Sequence, residues 1–220
     1  MPDRTSSANG EVRCRIAEVF DGAASLGVFS GVKSISAKVQ GGATITANLA
    51  DGGISGSLKV GTTGATTLNV SPGSSVGGPL NFTGDPTAQT LNLGTSVAVG
   101  KSLTFNGGSG SDAFAIGART TIGGSASFTS VEAGTFGNGS AITIGGALNF
   151  KNYATPLETN IQTSGGAGLS VGGKLNYAGG RANDSLFLSA TFGGNATYID
   201  TSGDNDFGFA RAPMYMVRSR

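Results

Sequence analysis

Histidine and tryptophan are absent from this 220-residue chain, cysteine occurs once, and only 12% of the residues are charged. The absence of histidine removes the commonest metal ligand and the commonest general acid–base group. The single cysteine, Cys14, excludes a disulfide within the chain and cannot by itself form a zinc site. The formal net charge of +1 gives no electrostatic reason to expect a nucleic acid or an anionic membrane surface as a partner.

Long apolar runs are also missing. No stretch approaches the roughly 20 apolar residues that a membrane-spanning helix needs, so we expect no membrane span. The N-terminal sequence MPDRTSSANGEVRCR lacks the apolar core of a secretory signal. Either the protein stays inside the cell or the sequence is a segment of a longer protein, and we favour the segment.

Glycine is abundant, with 39 residues, yet 38% of the chain is hydrophobic. A glycine content this high is typical of disordered chains, but disordered chains are depleted in apolar residues. Here the apolar residues are frequent and periodically spaced. The composition therefore indicates an ordered β protein with many turns.

A unit of about 23 residues recurs along the chain, a period typical of stacked repeats. Positions 100–122 (GKSLTFNGGSGSDAFAIGARTTI) show all its parts: three short alternating runs, each followed by a corner rich in small polar residues. In the first run two apolar residues flank a polar one. These pairs are Ile35/Ala37, Leu58/Val60, Leu80/Phe82, Leu103/Phe105, Ala126/Phe128, Leu148/Phe150 and Leu175/Tyr177.

The spacing of these pairs is nearly constant. Five of the six steps between them are about 23 residues long, and the last, from Leu148 to Leu175, is longer. The repeat predicts an all-β fold, a right-handed parallel β-helix with three short strands per coil of about 23 residues.

Two further runs recur in step with the first. The second contains Leu68/Val70, Leu91/Leu93, Phe114/Ile116 and Leu186/Leu188, and the third contains Val76, Val97/Val99, Ile122, Ile142/Ile144 and Leu169/Val171. Glycine pairs occur where the runs break, and we expect positive φ angles at those corners.

The repeat divides the chain into three parts. Residues 1–30 are predicted to form an N-terminal cap or a degenerate first coil, residues 31–209 the β-helix, and residues 210–220 a frayed or capping tail. The alternation around Val12, Cys14 and Ile16 favours a strand over a helix through Val12, Ile16 and Phe20. The long last step predicts an insertion at 153–166 that leaves the stack as a loop. Because exposed strand edges invite pairing, we expect end-to-end contact with further coils of a longer chain.

Three glycine-containing segments carry acidic residues. Residues 107–115 (GGSGSDAFA) match the nine-residue calcium repeat GGxGxDxUx of RTX proteins, residues 179–187 (GGRANDSLF) match it except at Ala182, and residues 203–207 (GDNDF) match a fragment. Calcium prefers carboxylate and carbonyl oxygens, so Asp112, Asp184, Asp204 and Asp206 are candidate calcium ligands. In RTX proteins the repeats follow one another directly, whereas here they lie about one coil or more apart, with Gln89 and Thr66 at the equivalent positions. The alternative is that each aspartate caps a corner through its side chain.

A carbohydrate-active enzyme is a further alternative, because Asp204 and Asp206 lie two residues apart and would share one face of a strand. The pattern G-x-S-x-G at 73–77 has no histidine to serve as its base, which argues for a corner rather than a nucleophile. The polar row Lys59, Asn81, Thr104, Ser127, Asn149 and Asn176 is either a solvated face or a shallow ligand strip.

The repeat V-GG-x-L-x-F, followed by a G-x-G-x-D-x-L corner, resembles bacterial surface repeat proteins: the passenger regions of autotransporters, filamentous-haemagglutinin-like adhesins and large exoproteins. The resemblance covers about residues 31–209. It implies a non-catalytic structural or adhesive segment of a secreted or cell-surface protein, with host or cell-surface glycans or proteins as partners. It also implies an extracellular or cell-surface location.

Overall fold

The computed structural model describes residues 17–21, 24–29, 32–49, 53–138, 141–152, 159–164, 168–180, 183–199 and 206–209. Within these ranges every regular element is a strand. Short runs of alternating apolar and polar residues, separated by glycine-rich corners, suit strands because each strand then buries one face and exposes the other.

The strands follow one another in coils. A hairpin of β1 (Ala17–Asp21) and β2 (Ala24–Phe29) precedes an incomplete coil of β3 (Ile35–Val39) and β4 (Ala43–Asn48). Coil 1 contains β5 (Leu58–Thr62), β6 (Thr66–Val70) and β7 (Ser75–Val76); coil 2 contains β8 (Leu80–Thr83), β9 (Gln89–Leu93) and β10 (Ala98–Val99). Coil 3 contains β11 (Leu103–Asn106), β12 (Ala113–Ile116) and β13 (Thr121–Ile122); coil 4 contains β14 (Ala126–Thr129), β15 (Ala133–Asn138) and β16 (Ile142–Ile144). Coil 5 contains β17 (Leu148–Lys151), β18 (Thr159–Ser164) and β19 (Leu169–Val171); coil 6 contains β20 (Leu175–Ala178), β21 (Asp184–Leu188) and β22 (Ala190–Phe192). An incomplete coil of β23 (Ala196–Ile199) and β24 (Asp206–Phe209) follows.

Three parallel sheets run along the stack. Sheet 1 contains the first strand of each coil, β3 to β23; sheet 2 contains the second, β4 to β24; and sheet 3 contains the third, β7 to β22. In sheet 1, Leu58 pairs with Leu80, Leu80 with Leu103, and Leu148 with Leu175, so the leucines of the repeat form one inward column. The predicted parallel β-helix is confirmed, and the predicted coil length is confirmed with it.

The N-terminal hairpin departs from the parallel pattern. Strand β1 pairs antiparallel with both β2 and β4, so it covers the outer edge of sheet 2. Phe20 lies in β1, not in a helix. Val12, Cys14, Ile16 and the tail at 210–220 lie outside the described residues.

The predicted loop at 153–166 is wrong in its second half. Thr159–Ser164 forms β18, which pairs with β15 on one side and β21 on the other. The reason is that Ile161 is fully buried at the inward position that Leu186 takes one coil later. The additional residues of this coil therefore precede β18.

An aromatic column fills the inner face of sheet 1. Its members, in register from coil to coil, are Phe82, Phe105, Phe128, Phe150, Tyr177 and Tyr198. Several neighbours stack, with ring centroids 5.2 Å apart for Phe82 and Phe105 and 5.1 Å apart for Tyr177 and Tyr198. A single coil could not shield these rings, so the coils are stable only as a stack.

Most corner glycines do not need a positive φ angle, which corrects the sequence-based expectation. Of the predicted glycine pairs, only those at 41–42 and 107–108 contain a member with positive φ among the described residues, namely Gly41 and Gly108. The others allow close backbone contact: a Cβ on Gly123 would lie 2.4 Å from the carbonyl oxygen of Gly100, and one on Gly145 would lie 2.4 Å from that of Gly123. The same arrangement links Gly77, Gly100, Gly123, Gly145, Gly172 and Gly193, which we call the glycine column.

Candidate functional site

A column of polar side chains runs inside the helix at the corner between sheets 1 and 2. Register places its members above one another, at or just before the start of successive sheet 2 strands: Thr66, Gln89, Asp112, Glu132 and Asp184, with the backbone of Thr159 at the equivalent position of coil 5. Thr66, Gln89, Asp112 and Asp184 are almost completely buried. Buried polar groups are tolerated only where hydrogen bonds or protons compensate for lost water.

Thr62, Thr66 and Gln89 form what we call the neutral corner. The Gln89 amide oxygen accepts a hydrogen bond from the Thr62 hydroxyl at 3.1 Å. Its amide nitrogen donates to the carbonyl oxygens of Gly64 at 3.2 Å and Thr87 at 3.0 Å. The Thr66 hydroxyl donates to the same Gly64 carbonyl at 2.9 Å. Amide and hydroxyl groups both donate and accept, so this corner satisfies its polar atoms internally.

Asp112 and Glu132 form what we call the acidic corner, one and two coils further on. The Asp112 Oδ1 atom accepts a hydrogen bond of 2.7 Å from the backbone N–H of Gln89, so the carboxylate caps the preceding coil. The Asp112 Oδ2 and Glu132 Oε1 atoms are buried without a hydrogen-bond partner among the described residues. The acidic corner therefore contains two carboxylate oxygens that have lost water and gained no partner there.

The glycines of the 107–112 motif create the space that Asp112 occupies. A Cβ on Gly107 would lie 2.3 Å from the Asp112 carboxylate. Gly108 has a φ of 108°, and a Cβ there would collide with the carbonyl oxygen of Asp85. The motif thus folds a tight corner around a buried carboxylate.

Burial raises the pKa of Asp112 to about 7, because the charged form loses its hydration. The hydrogen bond from Gln89 opposes this rise in pKa, while the negative charges of Glu132 and Asp85 add to it. The pKa of Asp85 is shifted the other way, below its usual value. The main cause is the hydrogen bond that the Thr87 hydroxyl donates to its carboxylate, and the second is the one that the Thr87 backbone N–H donates.

Three of the four predicted calcium ligands, Asp112, Asp184 and Asp206, are described, and they lie in different coils. Asp112 and Asp184 belong to the same polar column but are separated by Glu132 and Thr159. Asp206 is exposed at the start of β24, and Asp204 lies outside the described residues. Among the residues that the structure describes, no group of three or more acidic or cysteine side chains is placed to hold a metal ion.

Only part of the residue set of the enzyme alternative is described. Asp206 is exposed, and its predicted partner Asp204 is not among the described residues. Ser74, in the G-x-S-x-G pattern, is fully buried, and its hydroxyl accepts a hydrogen bond of 3.1 Å from the Leu49 N–H. Ser74 therefore stabilises a corner of the helix.

A groove of about 410 Å³ lies over the N-terminal strands of sheet 1, at the end of the predicted polar row. Its outward-facing lining is polar: Ser36, Lys38, Lys59, Asn81 and Thr83. None of the lining residues is acidic. The groove thus offers two ammonium groups beside hydroxyl and amide groups.

The groove exists because of a glycine. Lys38, Gly61 and Thr83 are neighbours in one outward row, and Gly61 has open space where a side chain would project. The missing side chain leaves a gap between Lys38 and Thr83. Asp85, which closely follows the lining residue Gly84, is bonded to Thr87.

The sequence analysis did not identify Glu132 as a member of the polar column, and it did not identify Gly61 as the residue whose missing side chain opens the groove. Glu132 lies closer to Asp112 in the sequence than one regular coil, because the corner before β15 spans only 130–132 whereas the corner before β12 spans 107–112. A position one regular coil of about 23 residues after Asp112 therefore falls beyond Glu132. The available signal was the buried pair Gly134 and Phe136, which alternates in step with Glu132.

No protein-family model matches the chain, and no curated protein or solved structure is significantly similar to it. None of the described residues belongs to a helix of the length and apolar character needed to cross a membrane.

Proposed function

We propose that the chain is a non-catalytic structural and adhesive segment of a secreted or cell-surface bacterial protein. The supporting observation is the stack of six three-strand coils, whose outward rows are mostly polar and whose buried apolar residues form one continuous core. Such a stack is a stiff spacer with a long lateral surface, which suits a protein that holds or presents a binding face.

The outward rows are ordered. In sheet 1 the Asn176 amide donates to Asn149 at 2.6 Å, and the Asn149 amide donates to Ser127 at 3.2 Å. In sheet 2 Asn92 donates to Asn69 at 2.8 Å. Side chains held in this way present hydroxyl and amide groups at regular intervals, which is how polyhydroxylated ligands are bound with little loss of side-chain entropy.

The groove over sheet 1 is the proposed adhesive site. Lys38 and Lys59 are exposed within it, and neighbouring hydroxyl and amide groups can donate to and accept from sugar hydroxyls. This combination favours glycans that carry carboxylate or sulfate groups.

Binding to immobilised glycans tests the proposal. We expect the intact chain to bind sulfated or uronate-containing glycans more strongly than neutral ones. The double substitution Lys38→Glu/Lys59→Glu should weaken that binding at least tenfold, because it replaces both positive charges with negative ones. Lys101→Glu is the matched control, since Lys101 is exposed but does not line the groove. Equal binding by the double variant, or no preference for anionic glycans, contradicts the proposal.

A further inference from the structure

The six lysines of the chain all lie on one side of the helix. Three belong to strands of sheet 1, and three belong to the corners that lead into sheet 1 strands. All six are exposed: Lys33, Lys38, Lys59, Lys101, Lys151 and Lys174. The groove contains only two of them, Lys38 and Lys59, so the basic surface extends well beyond the groove.

The described acidic residues lie on another side. Glu18 and Asp21 belong to the hairpin beside sheet 2. The others belong to sheet 2 strands or to the corners that lead into them: Asp85, Asp112, Glu132, Asp184 and Asp206. The described part of the chain therefore has a basic side at sheet 1 and an acidic side at sheet 2, which the formal net charge of +1 does not reveal. A surface lined by charges of one sign attracts ligands of the opposite sign.

Two rows of neutral polar side chains run between the lysines, and we call them the polar track. One row continues from Lys59 through Asn81, Thr104, Ser127, Asn149 and Asn176. The other contains Thr83, Asn106 and Thr129 and reaches Lys151. Successive members of a row are about 4.8 Å apart. The polar track thus carries hydroxyl and amide groups from the groove towards the C-terminal coils.

Lys101 lies beside the middle of the polar track, and its neighbours along the stack are glycines. The Lys101 N–H donates to the carbonyl oxygen of Gly78 at 3.3 Å, and the Gly124 N–H donates to that of Lys101 at 2.9 Å. Neither glycine has a side chain that could cover the lysine. Lys33 has the same setting, because its carbonyl oxygen accepts a hydrogen bond from the N–H of Gly56 at 2.6 Å.

The chemistry of this face favours a glycan over a nucleic acid. In the described strands of sheet 1, every aromatic ring belongs to the aromatic column on the inner face, and none of the residues is arginine. Single-stranded nucleic acids are bound mainly by stacking on exposed aromatic rings, with arginine assisting. Ammonium groups beside hydroxyl and amide groups instead suit a ligand that has both anionic groups and free hydroxyls.

A second copy of the chain is a poorer match for this face. It would have to present its acidic side to the lysines, yet Asp112 and Asp184 are buried there. The Asp85 carboxylate already accepts hydrogen bonds from Thr87. Few carboxylates of the described residues could therefore reach the lysines of a neighbouring copy.

We propose that the outward face of sheet 1 binds a linear anionic polysaccharide lengthwise, with the groove at the N-terminal end of the site. The lysines contact its carboxylate or sulfate groups, and the polar track contacts its hydroxyls. From β5 to β20 the face is about 24 Å long at the usual spacing of strands, so the site takes several sugars. The inference rests on the proposed function, because it gives the glycan of the groove a length and a direction.

Binding of two heparin fragments, a disaccharide and a dodecasaccharide, tests the length of the site. The dodecasaccharide should bind at least fiftyfold more tightly, because further lysines are engaged once the groove is occupied. Such a gain exceeds the one expected from the larger number of disaccharide units alone. Its binding should also fall more steeply as salt is added, since more charge pairs are screened. A gain of tenfold or less overturns the inference.

Lys101→Glu tests the position of the longer site. It should weaken binding of the dodecasaccharide at least fivefold and leave binding of the disaccharide unchanged, so for short glycans it remains a control for the groove. Arg119→Glu is the matched control, because Arg119 is exposed in the same coil at the corner that leads into sheet 3. It changes the net charge equally and should change both affinities less than twofold. Equal effects of the two substitutions contradict the inference.

The outcomes separate this inference from the proposed function. If the disaccharide binds through Lys38 and Lys59 but the dodecasaccharide gains nothing, the groove is adhesive and the longer site is wrong. If neither fragment binds, both proposals fail. If a single-stranded oligonucleotide of similar length binds as tightly as the dodecasaccharide, the assignment to a glycan is wrong. Dimers that form without glycan and are dissociated by Lys101→Glu would assign the face to a second copy instead.

Discussion

The neutral corner and the acidic corner occupy the same place in successive coils and have the same backbone register, yet their side chains differ in electrostatic character. Gln89 in the neutral corner donates and accepts, and all its polar atoms are bonded. Asp112 in the acidic corner accepts one hydrogen bond and leaves Oδ2 buried without a partner among the described residues. The backbone hydrogen bonds and the apolar columns therefore maintain the parallel stack in both corners. The side chains of the polar column can differ in charge from coil to coil without changing that stack.

A repeat protein can separate these roles because each coil contacts mainly its neighbours. A costly group in one coil is tolerated when the coils on either side are stable. The neutral corner and the hairpin lie on the N-terminal side of the acidic corner, and the aromatic column continues past it to Tyr198. Substitutions in the acidic corner should therefore destabilise mainly coils 3 and 4.

The largest effect is expected when the neutral corner is given a charge. Gln89→Glu removes the donor that serves Gly64 and Thr87 and places a carboxylate between Asp85 and Asp112. We expect a loss of about 4 kcal/mol in the free energy of unfolding at pH 8, as for an uncompensated buried charge. Much of the loss should be recovered at pH 5, where the new carboxyl group binds a proton. Urea unfolding at both pH values measures it.

Gln162→Glu is the matched control, because the same chemical change then occurs at an exposed position of sheet 2. It should change the free energy of unfolding by less than about 0.5 kcal/mol. If Gln89→Glu is no more harmful than Gln162→Glu, the two corners do not differ in the way described.

The sequence predicts where the polar column lies. It does not predict which of the column's polar atoms are buried without a hydrogen-bond partner. Leu58, Leu80 and Leu103 recur at nearly constant steps, and the register of Gln89 and Asp112 follows from them. Glu132 was missed because corner length varies from coil to coil. The burial of the Asp112 Oδ2 atom, and its lack of a donor among the described residues, depend on three-dimensional packing, which a spacing pattern does not contain.

The glycines illustrate a second limit. Their positions at the corners were predictable, but the reason for most of them was not. Positive φ is a local property that a glycine suggests by itself, whereas close contact between carbonyl and Cα atoms of adjacent coils depends on how the coils stack. Only the structure shows that Gly123 lies against Gly100.

Substitutions in the glycine column should cause a smaller loss of stability, and the loss should be equal in the coils of the neutral corner and of the acidic corner. Gly77→Ala lies at the end of coil 1, which contains Thr62 and Thr66 of the neutral corner. Gly123→Ala lies at the end of coil 3, which contains Asp112. The new Cβ atoms would lie 2.6 Å and 2.4 Å from a carbonyl oxygen. Each should cost about 2 kcal/mol, because the coils must separate locally. The loss should be the same at pH 5 and pH 8, since no titrating group is involved. Thermal and urea unfolding at both pH values provide the measurement.

Gly61→Ala controls for the loss of glycine itself, because a Cβ at Gly61 meets nothing within 4 Å. It should leave stability unchanged or raise it slightly. A large difference between Gly77→Ala and Gly123→Ala would mean that the two regions differ in backbone packing as well as in charge.

The smallest effect is expected on the outer surface of the same coils. Asn92 lies in β9, on the strand that Gln89 begins, and its amide donates to Asn69 at 2.8 Å from a partly exposed position. Water can replace this hydrogen bond, so Asn92→Ala should cost only about 0.5 kcal/mol at any pH. A double-mutant cycle with Asn69→Ala isolates the pair, and we expect a coupling energy below about 1 kcal/mol. A coupling as large as the loss in Gln89→Glu would contradict the view that the inward column, and not the outward ladder, distinguishes one coil from the next.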